Sequence, residues 1–300
     1  MNVTLTGATG LIGRKLVARL VARGDGVTVL SRDPARARRD LGVGTAAWDP
    51  LAEPAPAAAL AGRDAVIHLA GAPVAQRWSA SAKREIHDSR ETGTRNLVAG
   101  LRTANPAPGV LVSSSAVGYY GPRGDERIDE TTGPGSGFLA DVCVAWEREA
   151  LAAAADGTRV VVMRTGIVLD QDGGALATML TPFKLGVGGP VAGGGQYMPW
   201  IHVDDVVGLY VRALDDPAFS GPVNLSAPDP VTNKEFSKAL GHALHRPAFA
   251  PVPKLALKAL YGEMSEIVVE GQRAVPARAL DLGYEFRHPD LDEALASALG

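Results

Sequence analysis

Three glycines at fixed spacing, Gly7, Gly10 and Gly13, separate a β-prone run from a helical stretch. The run is Val3-Thr4-Leu5-Thr6, and the stretch, Leu11 to Ala22, carries Leu16, Val17 and Leu20 at helical spacing. In such a strand–turn–helix unit the first glycine permits the tight turn and the second lets backbone approach a pyrophosphate. The third lets helix and strand pack closely. The helix start adds free N–H groups and a positive dipole end. Gly7, Thr9, Gly10, Leu11, Ile12 and Gly13 are therefore candidate contacts to a dinucleotide. The alternative, a glycine turn without a ligand, is disfavoured by the strand before it and the helix after it.

The alternation continues. Val27–Leu30, Thr45–Trp48, Ala65–Leu69, Val110–Ser113 and Arg159–Arg164 read as strands, several of them apolar on both faces. Helical stretches open at Pro34, run from Ser79 to Thr103, and run from Phe138 to Ala155. Strands buried on both faces by intervening helices predict a parallel, doubly wound sheet. Residues 52–61 read as a surface loop leading into a short helix. After Thr165 the pattern changes: glycines crowd residues 186–195, as a lid or a flexible linker. A helix over Val203–Leu214 and a strand over Pro222–Ser226 return to the sheet, and three or four helices with proline punctuation fill the tail. The expected architecture is α/β, a Rossmann sheet with a smaller, mostly helical C-terminal substrate domain. Residues 1–165 and 198–226 form the first unit, and 166–197 and 227–300 the second.

A net charge of −3 and 5% aromatic residues argue against nucleic-acid binding. The single cysteine, Cys143, allows no intramolecular disulfide. The most apolar run, Val160 to Leu169, is broken by Arg164 and too short to span a bilayer. A cytoplasmic protein with a small-molecule substrate, and no nucleic-acid or membrane partner, is expected.

The end of the second strand selects the cofactor. NAD-binding folds usually place an acid there for the ribose 2′-hydroxyl; this chain has Ser31-Arg32, suited to a 2′-phosphate. NADP is favoured over NAD, although Asp33 could serve a 2′-hydroxyl if the strand ended later. Arg38 and Arg39 read as a solvated helix face.

Leu69-Ala70-Gly71, Ser113-Ser114-Ser115, the run Ser115 to Gly121, Arg164 to Leu169, Pro199 to Asp205 and Glu270 to Arg273 extend the pattern. With the glycine turn, they resemble an extended short-chain dehydrogenase/reductase, specifically the "epimerase family protein" group of the NAD-dependent epimerase/dehydratases. The resemblance runs essentially end to end. It implies that Leu69, Ala70, Gly71, Glu85, Arg90 and Ile167 lie near the cofactor, and that a homodimer is possible. Without the resemblance, Glu85 and Arg90 read as an exposed pair on a helix face.

That family's chemistry uses a Tyr and a Lys four residues apart on one helix, the phenol acting as acid or base. None of the six tyrosines here has Lys at that spacing. Alignment by resemblance puts Leu139 and Cys143 on those positions. Ser115, Tyr119, Tyr120 and Cys143 are the remaining catalytic candidates. Ser115 either polarises a substrate or caps its loop, the tyrosines reach the site or pack over the cofactor, and Cys143 is a thiol acid or a core residue. Met198 and Trp200 are candidates to line the substrate pocket. No metal is expected: His202 and Asp204 have no third ligand at suitable spacing, and His202 and Asp205 read as hydrogen-bonding residues at a helix start. Two functions follow. One is an NADP(H)-dependent oxidoreductase or epimerase-like enzyme on a small carbonyl or hydroxyl compound; the other is a non-enzymatic NADP(H)-binding sensor.

Overall fold

Parallel strands with apolar residues on both faces assemble into a seven-stranded sheet. The computed structural model describes residues 1–300, the side chains of residues 256, 260 and 261 excepted. In chain order the first five strands are β1 (Asn2–Thr6), β2 (Gly26–Ser31), β3 (Gly44–Ala47), β4 (Ala65–His68) and β5 (Val110–Ala116). A two-residue β6 (Arg127–Ile128) precedes β7 (Arg159–Thr165) and β8 (Ile167–Leu169), and β9 (Tyr197–Met198), β10 (Trp200–His202) and β11 (Gly221–Leu225) follow. The sheet order is β11-β7-β5-β4-β1-β2-β3. The strand order reverses across the β1–β4 boundary, the switch point at which such sheets open a crevice beyond their carboxyl ends.

Helices cover both faces. They are α1 (Leu11–Ala22), α2 (Pro34–Leu41), α3 (Ala57–Leu60), α4 (Ala80–Thr103), α5 (Phe138–Leu151), α6 (Gly174–Lys184), α7 (Val203–Asp215) and α8 (Asn233–Ala243). Local chemistry sets their ends. Pro34 occupies the first turn of α2, and the Asp33 carboxylate caps it by accepting the Arg36 N–H at 2.9 Å. Ser79 caps α4 in the same way through Ala82 N–H at 3.1 Å. One sheet face packs Val3, Leu5, Val112 and Val161 against Leu16 and Leu20 of α1 and Leu209 and Tyr210 of α7. The other packs Val66, Leu111 and Val162 against Leu97 and Leu101 of α4 and Ala150 of α5.

Two expectations need correction. Trp200 and Met198 do not line an open pocket: with Leu176, Phe183, Phe236, Leu240 and Leu295 they form a separate core beneath the C-terminal helices. The Trp200 indole N–H donates to the Asp229 carbonyl at 3.2 Å. The glycine-rich segment is pinned. A Cβ on Gly189 would lie 2.2 Å from the Ala250 carbonyl oxygen, and one on Gly194 would lie 2.9 Å from both Lys234 and Pro190 side chains. These glycines let two stretches of backbone touch, which is a packing requirement. The residue 52–61 loop does lead into a short helix, α3, but Ala59 and Leu60 are buried.

His68, fully buried at the end of β4, joins β1 to α4. Thr6 Oγ1 accepts the N–H groups of Leu69 and Ala70, both at 3.2 Å, which occupies its lone pairs. Its proton is then donated to His68 Nδ1 at 2.7 Å, leaving Nε2–H to donate to Thr94 Oγ1 at 3.0 Å. Burial, with the Arg90 charge, pushes the imidazole pKa down to about 4. The unfolded chain takes up this proton near pH 6.5 and the folded chain does not, so the stability present above pH 6.5 is lost as pH falls toward 4. The loss amounts to about 3 kcal/mol. Urea unfolding between pH 7 and pH 4 should show this slope in the native chain and a shallower one in His68→Gln; parallel profiles would disprove the assignment.

Candidate functional site

The β1–α1 turn sits at the switch point, and its glycines do different work. Gly7 has φ of +66°, and a Cβ there would lie 2.6 Å from the Leu69 carbonyl carbon, so the turn presses directly on the end of β4. A Cβ on Gly13 would meet the Ala8 Cα and the Gly7 oxygen at 2.6 Å. Gly10 is different: it is exposed, and a Cβ there would meet only the Gly7 oxygen, at 3.4 Å. Gly10 caps α1 without a side chain, and the first turn of α1 contains no acid, so its N–H groups face outward without a capping side chain. Thr9 is exposed, its carbonyl accepting Arg14 Nε at 2.8 Å, and Leu11 and Ile12 are half-buried at the helix start. The residues present fit a pyrophosphate: a backbone bare of side chain at Gly10, with donors and a favourable dipole.

At the end of β2, Ser31 Oγ accepts the Asp33 N–H at 3.1 Å. The Asp33 carboxylate is engaged as the α2 cap, and Arg32 is exposed. The corner thus presents a guanidinium and a hydroxyl. Beyond β4, Leu69 and Ala70 are half-buried and Gly71 is exposed against Arg90. Ile167 is half-buried on β8. Glu85 is exposed on α4, and its carboxylate makes no hydrogen bond or ion pair among the described residues.

The catalytic candidates separate sharply. Ser115 is buried and donates to Glu147 Oε1 at 2.6 Å. Glu147, which no sequence motif marks, also accepts Arg164 Nε on Oε1 at 2.9 Å and Arg164 Nη2 on Oε2 at 2.8 Å. Burial opposes the Arg164 charge, but the Glu147 hydrogen bonds and charge outweigh it and hold the guanidinium above its ordinary pKa. Arg164 Nη1 donates to the Tyr120 hydroxyl at 2.9 Å, and that hydroxyl donates to Asn224 Oδ1 at 2.7 Å. Tyr120 is fully buried and its pKa is pushed up to about 12 by burial, so it is an interior hydrogen-bonding residue. Cys143 is buried too; burial and the Glu147 charge push its thiol up to about 11, and it stays protonated at neutral pH. Tyr119 alone of the candidates is half-buried with no hydrogen bond to its hydroxyl among the described residues, its ring lying over the Arg164 guanidinium at 3.6 Å. The signal that points to Glu147 is its position one turn beyond Cys143, where an acid on a buried helix face demands a partner.

Sequence comparison bears directly on this geometry. The family profile described as "NAD dependent epimerase/dehydratase family" matches residues 3–225, the whole span that builds the sheet. The chain belongs to this family. A second profile, a domain of unknown function, matches residues 252–298. The "Epimerase family protein SDR39U1 homolog, chloroplastic" of Arabidopsis thaliana is 43% identical over 303 residues, covering 100% of this chain and 87% of the relative. The Homo sapiens "Epimerase family protein SDR39U1" is 38% identical, with 98% of each chain covered. The crystal structure of human SDR39U1 (isoform2) with NADPH superposes with a TM-score of 0.89 at 36% identity, covering 100% of both chains.

Within this family member, Leu139 is half-buried and Cys143 buried on α5, both against Gly118, where a Cβ would meet them at 3.4 Å and 3.9 Å. A further cluster lies at the start of α7. His202 Nδ1 accepts the Asp204 N–H at 3.1 Å as the helix cap, and Asp205 accepts the N–H groups of Arg287 and His288 at 2.8 Å and 3.0 Å. Tertiary structure does bring a third group to His202 and Asp204: the His288 ring stacks on His202 at 3.9 Å. The cap occupies the Nδ1 lone pair and leaves the proton on Nε2, which is the wrong state for a metal ligand.

The Glu147–Arg164 pair gives a direct test. Removing one partner strands the other charge in the interior, so Glu147→Ala should lose about 3–5 kcal/mol. The double variant Glu147→Leu, Arg164→Met should lose less than the sum of the losses of Glu147→Leu and Arg164→Met taken singly. Urea denaturation of the four-member cycle checks this, and additive losses would show that the pair is not coupled.

Proposed function

We propose that the chain is an NADP(H)-dependent oxidoreductase or epimerase-like enzyme acting on a small carbonyl or hydroxyl compound. The observation that carries the cofactor half is Gly10. Gly7 and Gly13 are held to glycine by protein atoms at 2.6 Å, whereas around Gly10 the protein leaves room for a side chain. A glycine there serves close approach by something that is not the protein, and the uncapped α1 start supplies anion donors. The NADPH bound in the human relative is consistent with this, as is the Ser31-Arg32 corner. When bound, the nicotinamide supplies or accepts a hydride.

The residues divide the remaining tasks. The β1–α1 turn holds the phosphates, Arg32 favours the 2′-phosphate, and the leading proton donor is Tyr119. It is the one catalytic candidate whose hydroxyl is not already engaged, and Arg164 beneath its ring fixes its orientation. Ser115 aims its proton at Glu147 and acts as a positioning residue. That same commitment, with a protonated Cys143, favours the second reading, an NADP(H)-binding sensor.

Gly10→Ala should leave the urea midpoint nearly unchanged, because the added Cβ meets only the Gly7 oxygen at 3.4 Å, yet weaken NADPH binding by about tenfold or more. Arg32→Ala should weaken NADPH by about tenfold and NADH little, by loss of a charge-assisted pair. Tryptophan quenching on titration reads both, and an unchanged NADPH affinity in either variant refutes the corresponding contact. For the chemistry, NADPH oxidation across a panel of carbonyl compounds should reveal turnover that Tyr119→Phe lowers by about 100-fold or more with NADPH affinity retained. Tight NADPH binding without turnover on any compound supports the sensor.

A further inference from the structure

Three large apolar side chains project into water from one small surface of the C-terminal unit. Leu185 is 72% exposed, Val187 58% and Phe249 79%. They come from two segments that touch. Arg246 Nε donates to the Lys184 carbonyl at 3.2 Å, and a Cβ on Gly186 would lie 3.8 Å from the Pro247 side chain. The first segment is tied down behind as well. The Val187 N–H donates to the Pro182 carbonyl at 3.0 Å, and a Cβ on Gly188 would meet the Phe183 ring at 2.4 Å. A loose loop could fold such residues back onto the protein, whereas this backbone is pinned and leaves them outside. The gain that burial would bring to each is forgone in the isolated chain. The charges around them have one sign. Lys184, His245 and Arg246 are exposed in the same two segments. Lys254 and Lys258 are exposed on the helix that follows, Lys254–Tyr261, with Leu255, also strongly exposed, between them. Residues 173–203 and 236–262 contain no Asp or Glu, in a chain whose net charge is −3. Among the described residues none of these five basic side chains is paired with a carboxylate; Arg246 donates only to carbonyls.

Shape and charge together select the occupant. Side chains as exposed as Leu185 and Phe249 stand clear of their surroundings and do not line a groove, whose walls would cover them. A projecting apolar tip needs a matching pocket in a folded partner but none in a fluid one. A second copy of the chain, related by a two-fold axis, would bring the same cations face to face. We propose that the surface formed by residues 184–187 and 245–249 docks on an anionic lipid surface. Leu185, Val187 and Phe249 enter the interface, and the surrounding cations meet lipid phosphates. The attachment is peripheral: among the described residues no helix is long and apolar enough to cross a membrane. The expectation of no membrane partner rests on net charge and the length of apolar runs. Neither quantity registers a patch that two segments, about sixty residues apart in sequence, assemble by packing. The docking surface is independent of whether the chain turns over a substrate or senses NADP(H).

The experiment is co-sedimentation of the full-length chain with two kinds of vesicle, phosphatidylcholine alone and phosphatidylcholine with about 30% phosphatidylglycerol. The native chain should bind the anionic vesicles at least about tenfold more tightly than the neutral ones, and the difference should shrink as salt rises from about 0.1 M to about 0.5 M. The double variant Leu185→Ser, Phe249→Ser should weaken binding to anionic vesicles by about tenfold or more. The double variant Lys184→Gln, Lys254→Gln should do the same. All four positions are exposed, so the urea midpoint should stay where it is in both variants, which separates lost docking from lost folding. No binding to anionic vesicles, equal binding to both kinds, or unchanged binding in either double variant overturns the proposal. So does a concentration-dependent dimer that the Leu185→Ser, Phe249→Ser variant abolishes while the native chain ignores vesicles, which would assign the surface to a second copy. Binding to polyglutamate but to neither vesicle would assign it to an acidic protein instead and equally overturns the proposal.

Discussion

The ion pair between Glu147 and Arg164 organises the space beyond the carboxyl ends of the strands. Each partner is buried, so each would be costly alone, and together they are satisfied only because further groups complete the set. Ser115 donates to the carboxylate from β5, and Tyr120 links the guanidinium to Asn224 on β11. Asn224 in turn reaches the Val275 carbonyl and the Glu130 carboxylate, so the chain of bonds runs from α5 through the sheet into the C-terminal segment. A network of this kind has few alternative arrangements, since losing one member leaves another unsatisfied. Its consequence for the site is that Ser115 and Tyr120 turn inward, while Tyr119, stacked on the same guanidinium, makes no hydroxyl hydrogen bond among the described residues.

Charge in the cleft is distributed by solvation. Arg32 is exposed, so its field is screened by water and salt. Arg90 is already partly desolvated, between an indole and a bare glycine. His68 lies beneath the cleft, neutral because burial and Arg90 both disfavour a second positive charge there. The β4 end thus concentrates one cation, on Arg90, beside a neutral imidazole.

Features governed by short-range rules are legible in the amino-acid sequence. The strand–turn–helix unit, the helix start at Ser79 and the proline at the first turn of α2 depend on neighbours in sequence, and they stand where the local pattern puts them. Features governed by contacts across the chain are not legible in this way. The glycines of residues 186–195 resemble a flexible loop until Ala250 and Lys234 are placed against them. Trp200 and Met198 resemble pocket residues until Phe236 and Leu295 cover them. Glu147 and Arg164 are 17 residues apart, and no local pattern announces that one neutralises the other.

What the amino-acid sequence determined by itself was the doubly wound sheet, the position of the glycine turn and the fact that no tyrosine has Lys four residues later. Periodicity, glycine stereochemistry and residue identity are local and survive without a fold. Only the tertiary structure decided which hydroxyls are engaged, which charges are paired and which glycines press on backbone rather than open space. Those depend on distances of a few ångströms between elements far apart in the chain, and on the water that their packing excludes.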